Sequence, residues 1–124
     1  MLDLATDPTS QALVAELWAQ GKVVAAVCHG PAALVNVKTG GDGAYLLEGK
    51  KVTAFSNSEE DAAGFASAMP FALETLANER TGGNGFEKAG DWQEKVVVDG
   101  RLITGQNPAS ALGVGKAIAE ALGV

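Results

Sequence analysis

Cysteine and histidine are nearly missing from this sequence, and their scarcity excludes a good deal. Cys28 is the single cysteine, so the chain can form no internal disulfide and the thiol is either packing or chemistry. His29 is the single histidine, and one Cys with one His cannot make a structural zinc site; a metal would have to rest on carboxylates, and none is expected. Basic residues are few, nine Lys and Arg against fifteen Asp and Glu, for a formal net charge of -6. The basic stripe that tracks a phosphate backbone is therefore absent, and nucleic acid is not an expected partner. Long apolar runs are missing too. Val23 to Cys28 is the longest, far short of the roughly 20 residues of a membrane span. The first residues, Met1-Leu2-Asp3-Leu4-Ala5-Thr6-Asp7, lack the basic start and apolar stretch of a signal peptide, so a cytoplasmic location is expected. The glycine-rich loops have no Walker spacing, and no internal repeat is visible.

What is present is apolar enough to fold. In 124 residues, 47% of side chains are apolar, sufficient for one core, and residues 1–124 read as a single domain or part of one. Thr9-Ser10 reads as the cap of a helix over Gln11 to Trp18 that turns Leu13 and Leu17, with Val14 and Trp18, towards the core and stops at Gly21. Lys22 to Val27 reads as a strand without alternation, buried on both faces of a parallel sheet. Pro31 opens a helix. Lys51 to Phe55 reads as a second strand, and Ser56-Asn57-Ser58-Glu59-Glu60-Asp61 as the entry to another helix. A further helix is expected from Met69-Pro70 to Asn78. Lys95 to Val98 and Arg101 to Thr104 read as a hairpin turning at Asp99-Gly100. Asn107, as N-cap, and Pro108 start the last helix. Strands interleaved with helices predict an α/β fold. A central strand at Val23 to Val27 needs partners on both sides, and the other strands are few. The chain thus reads as the C-terminal part of a larger domain, or as one that completes its sheet with another chain.

The chemistry concentrates in Val27-Cys28-His29-Gly30-Pro31. A strand that ends at a reactive residue, followed at once by glycine and a helix, is the layout of a nucleophile elbow, which exposes the side chain at the sheet edge where clefts form. The helix N-terminus would favour thiolate at Cys28, and the N–H groups of His29 and Gly30 could hold an oxyanion. His29 could shuttle protons, oriented by Glu59 or Glu60, either of which could equally serve to cap the helix beginning near Ser56. Trp18 and Trp92 read as packing, and Gln106 to Ser110 as structural.

Ala26-Val27-Cys28-His29-Gly30-Pro31, Leu47-Glu48-Gly49-Lys50-Lys51-Val52-Thr53-Ala54-Phe55 and Asp99-Gly100-Arg101-Leu102-Ile103-Thr104-Gly105-Gln106-Asn107-Pro108-Ala109-Ser110 together resemble the ThiJ/PfpI family. The branch they resemble holds the chaperone and cofactor-independent glyoxalase III (D-lactate dehydratase) proteins, within the class I glutamine-amidotransferase-like superfamily. The resemblance implies a flavodoxin-like three-layer α/β sandwich with a parallel sheet. It also implies a triad of Cys28, His29 and Glu60, and conversion of methylglyoxal to D-lactate through the thiol without a cofactor. Amidase or peptidase use of the same triad, or a holdase role without catalysis, are the alternatives it leaves. An N-terminal half is missing relative to that family, including a glutamate that reaches the cysteine and a Gly-rich loop, so a homo-oligomer or a completing chain is the expected partner.

Overall fold

The computed structural model describes residues 1–124. It opens with helix α1 (Pro8–Ala19), whose N-cap lies two residues before the expected Thr9: Asp7 is the N-cap, its carboxylate accepting from the Ser10 N–H, with Pro8 in the first turn. The inward face also differs from expectation. Leu13 and Leu17 are exposed, while Val14, Ala15 and Trp18 pack against the core. Arg101 explains the rotation. Its guanidinium lies 3.9 Å from the Trp18 ring and donates to the carbonyls of Trp18 and Lys22, pinning the helix end by that side.

Strand β1 (Val24–Val27) follows, and the sheet is completed by β2 (Val96–Asp99) and β3 (Leu102–Gly105) in the order β1-β3-β2. β1 pairs parallel with β3, and β3 antiparallel with β2. β1 is therefore an edge strand. Both faces of the strand are covered, but one lateral side has no neighbour, so only Val24 is buried and Ala25 to Val27 are half-buried; the expected central position is replaced by an edge. The hairpin turns at Gly100-Arg101, one residue later than expected. Gly100 takes the left-handed conformation (φ 59°) such a turn demands, while Asp99 stays in the ladder opposite Leu102.

Alternation along the strands separates the layers. Val24, Ala26 and Leu102 face the main apolar cluster, which includes Leu34, Val35, Val37, Leu47, Val52 and Leu73. On the opposite face, a β-carbon at Gly105 would lie 2.6 Å from Val114 of helix α4 (Ala111–Leu122) and 2.9 Å from Val27. A sheet covered on both faces is an α/β sandwich of three layers.

Lys51 to Phe55 does not join the sheet as a strand. Val52 makes one isolated bridge with Phe86, the Thr53 N–H donates to Thr104 Oγ1, and the Phe55 N–H donates to the Cys28 carbonyl. The segment is buried from Val52 onward, and is held by side-chain and end contacts instead of a ladder. Pro31 lies in a short 3-10 turn, Gly30–Ala33, instead of an α-helix. Helix α2 (Asn57–Ala63) starts at Ser56 with a full capping box closed by Glu59. Helix α3 (Leu73–Thr81) begins later than Met69, because Pro70 holds Met69 extended.

Candidate active site

Cys28 sits where β1 stops, and its backbone is left-handed (φ 63°), a conformation that costs a non-glycine residue about 1–3 kcal/mol. Two hydrogen bonds hold it there. The Cys28 N–H donates to the Gly105 carbonyl and the Cys28 carbonyl accepts from the Phe55 N–H, each at 2.9 Å. The chain then bends sharply through His29 and Gly30 into the 3-10 turn. A β-carbon at residue 30 would lie 3.4 Å from that of Ala26, so the turn lies tight over the strand it leaves.

The thiol, the imidazole and one carboxylate form a connected series. Cys28 Sγ lies 3.4 Å from His29 Nδ1, and His29 Nε2 lies 2.6 Å from Glu60 Oε2. The carboxylate can only accept, so the Nε2–H donates to Glu60, which leaves Nδ1 free to accept from the thiol. Phe55 backs the imidazole, with ring centroids 4.4 Å apart. Glu60 reaches His29 because the capping box turns Glu59 back onto Ser56 and directs the next residue around the helix to the elbow. Its other oxygen, Oε1, is buried without a hydrogen-bond partner.

The electrostatics differ from the sequence expectation. Burial raises the Cys28 thiol pKa above its ordinary value; the His29 backbone N–H lowers it, and the charges of Glu59 and Glu60 raise it further. A four-residue 3-10 turn has too few aligned peptides to act as the helix terminus that was expected to favour thiolate. The thiol therefore rests protonated at neutral pH, beside an imidazole nitrogen placed to accept its proton.

Two residues have parts beyond those the sequence reading gave them, Glu59 as a cap and Trp92 as packing. Glu59, fully buried, accepts from the Ser56 N–H and Oγ, Gln106 Nε2, Asn107 Nδ2 and the Trp92 N–H. Despite its desolvation, the hydrogen bonds from Gln106, Trp92, Ser56 and Asn107 hold its carboxyl down at about 2. Asn107 consequently does not cap the last helix with its side chain: it turns inward to Glu59 and the Gln93 carbonyl, and its Oδ1 accepts from Ser110 Oγ. Trp92 is the second. It is about half exposed rather than packed, its backbone is left-handed (φ 62°), and its ring meets Phe55 edge-on with centroids 5.6 Å apart. The capping-box spacing around Ser56 hints at a role for Glu59, but its remaining partners lie more than thirty positions away.

The largest hollow, about 530 Å³ between Tyr45, Glu79 and Arg80, contains none of the elbow residues. A mostly apolar one of about 340 Å³ is lined by Phe55 and Glu60 together with Met69, Phe71 and Leu73. No three His, Cys, Asp or Glu side chains converge closely enough to hold a metal ion.

A layered α/β fold whose edge strand ends in a left-handed cysteine, with histidine next and a carboxylate within reach, defines a cysteine-elbow protein. The chain belongs to the DJ-1/PfpI family, whose model matches residues 2–121. It is 37% identical over 106 residues to glyoxalase 3 of Candida albicans, covering 82% of this chain and 44% of that protein. It is 38% identical over 105 residues to a glutathione-independent glyoxalase of Saccharomyces cerevisiae, with the same coverage. Among solved structures, the glyoxalase III of Candida albicans superimposes with a TM-score of 0.86 at 32% identity, over 97% of this chain and 52% of that one. The rapid encystment protein of Francisella tularensis gives 0.90 at 38%, with the same coverage. The chain thus spans about half the length of the relatives it matches.

Proposed function

We propose that residues 1–124 form one partial domain that carries the thiol half of a glutathione-independent glyoxalase, turning methylglyoxal into D-lactate. The hydrogen-bonded series from Cys28 Sγ through His29 to Glu60 on a left-handed corner supports this reading most strongly. His29 Nδ1 takes the thiol proton as sulfur attacks the aldehyde carbon, and the carbonyl oxygen becomes the hydroxyl of a hemithioacetal. Proton transfer from that carbon to the neighbouring carbonyl carbon, by way of an enediol, gives a lactoyl thioester. Water then cleaves the thioester, releasing lactate and restoring the thiol. The N–H groups of His29 and Gly30 serve the developing oxyanion. Glu60 orients the imidazole and compensates its charge once it is protonated. The reaction is redox-neutral within the substrate and needs no cofactor. A completing chain or a second copy belongs to this reading, consistent with the open edge of β1, and so does a cytoplasmic location.

The test is chiral lactate assay and intact mass after exposure to methylglyoxal, on this chain and on Cys28→Ala. The expected result is D-lactate, or a thiol adduct heavier by one methylglyoxal, from the chain and neither from the variant. Equal rates or equal adducts would remove the thiol from the mechanism. A holdase role has its own observation, the exposure of Leu2, Leu4, Leu13 and Leu17, and predicts suppression of client aggregation that survives Cys28→Ala.

A further inference from the structure

We propose that Trp92 is a positioning residue for His29, acting through Phe55 and held in place by Glu59. The proposal rests on the reading of Cys28 and His29 as the reactive pair. Three aromatic rings stand in series. His29 faces Phe55 with centroids 4.4 Å apart and an interplanar angle of 35°, and Trp92 meets the Phe55 ring edge-on at 5.6 Å and 61°. Phe55 is buried and its backbone N–H is tied to the Cys28 carbonyl, so its ring forms a wall shared with the elbow itself.

Trp92 is otherwise an unlikely residue for its place. A bulky side chain at φ 62° is an outlier, since glycine or asparagine fits that conformation far better. Its N–H donates at 2.9 Å to Glu59 Oε2, and the same oxygen accepts from Asn107 Nδ2, so the carboxylate that fixes the turn is itself fixed from the β3–α4 junction. Ser58 Oγ donates to Asp91 at 2.6 Å, which ties the same turn to α2 a second time. About half of the Trp92 surface is exposed, so hydrophobic burial alone does not account for a strained tryptophan. What the conformation achieves is to set the indole against Phe55, which limits how far the imidazole can tilt between Cys28 and Glu60.

His29 and Cys28 are the only imidazole and the only thiol, so each can be followed without ambiguity. The experiment compares the chain with Trp92→Ala, Trp92→Phe and Trp92→Gly, reading the His29 ring-proton resonances by NMR and the pH profile of Cys28 alkylation by iodoacetamide. Trp92→Ala is expected to move the ring resonances and to change the alkylation rate at neutral pH by about threefold or more. Trp92→Phe, which keeps an edge-on ring, should return both towards the parent values. Trp92→Gly removes the ring while relaxing the backbone, so it gives the same displacement without loss of folding even where Trp92→Ala unfolds. Unchanged resonances and an unchanged profile in both ring-deleting variants would overturn the proposal, as would a Phe variant that behaves like Ala. The parent reading has a separate control: a His29→Gln form that alkylates with the parent profile would refute the pair, while the ring resonances of the Trp92 variants still report on positioning.

Discussion

Glu59 and Glu60 are consecutive residues of α2 that serve two contrasting regions. Glu59 enters a knot in which Ser56, Gln106, Asn107 and the Trp92 backbone saturate both of its oxygens, with Ser110 bonded behind Asn107. Glu60 enters the elbow, where one oxygen meets His29, the other has no partner, and the imidazole is about one-third exposed. The knot is buried and fully satisfied, and stabilises its charge. The elbow is under-bonded and strained, and keeps its groups available. One turn of helix delivers the two side chains to opposite duties, so stability and reactivity are separable by neighbouring substitutions.

The largest effect expected of breaking that contrast is Glu59→Ala, which strips the acceptor from Gln106, Asn107 and the Trp92 N–H at once. Loss of about 3–5 kcal/mol in urea-induced unfolding is expected. The same carboxyl gives a pH signature. Its pKa is about 2 in the fold against an ordinary 4.5, so the unfolded chain binds the extra proton between those values. Its contribution is fully present above pH 4.5 and is lost as pH falls through 2, a change of about 3 kcal/mol that urea unfolding at stepped pH reads directly. Glu59→Gln should flatten that slope.

Gly105 is where the two regions touch, since its carbonyl holds Cys28 and a β-carbon there would run into Val114 and Ser110. Gly105→Ala forces a β-carbon within 2.6 Å of Val114, and a loss of about 2 kcal/mol together with altered Cys28 alkylation is expected. Ser56→Ala removes the cap of α2 and one of the Glu59 donors, with an expected loss of about 1–2 kcal/mol by thermal or urea unfolding. Glu60→Gln sharpens the contrast from the other side. Stability should change by only about 0.5 kcal/mol, while Cys28 turnover or adduct formation falls by about tenfold or more. A Glu60 variant as destabilised as Glu59→Ala would erase the distinction between the regions.

Much of this was legible in the chain because it depends on local geometry. The Asp-Gly pair announces the hairpin, the Ser56-x-x-Glu59 spacing announces the capping box, and Val-Cys-His-Gly-Pro announces a strand ending in a bend. The turn position slipped by one residue because the sequence shows a glycine without showing which turn position needs its positive φ. The face of α1 is not legible locally because Leu13 and Val14 offer competing apolar stripes, and Arg101, more than eighty residues from Trp18, decides between them. Lys51 to Phe55 has strand composition, yet its N–H groups find a threonine hydroxyl and the elbow carbonyl instead of a ladder. The direction of the thiol shift is opposite to the one the elbow layout predicts, since burial and two nearby carboxylates act through space and leave no mark in the order of residues. The Glu59 knot was invisible for the same reason.

The left-handed backbone at Cys28 makes the elbow a place where folding and chemistry favour different residues. Glycine adopts φ 63° without steric conflict, so Cys28→Gly relieves the corner even as it abolishes the thiol. A search for more heat-resistant variants, run without an assay for the sulfur, would therefore be drawn to this position as it would to Trp92. It would return a sturdier protein with nothing left to react.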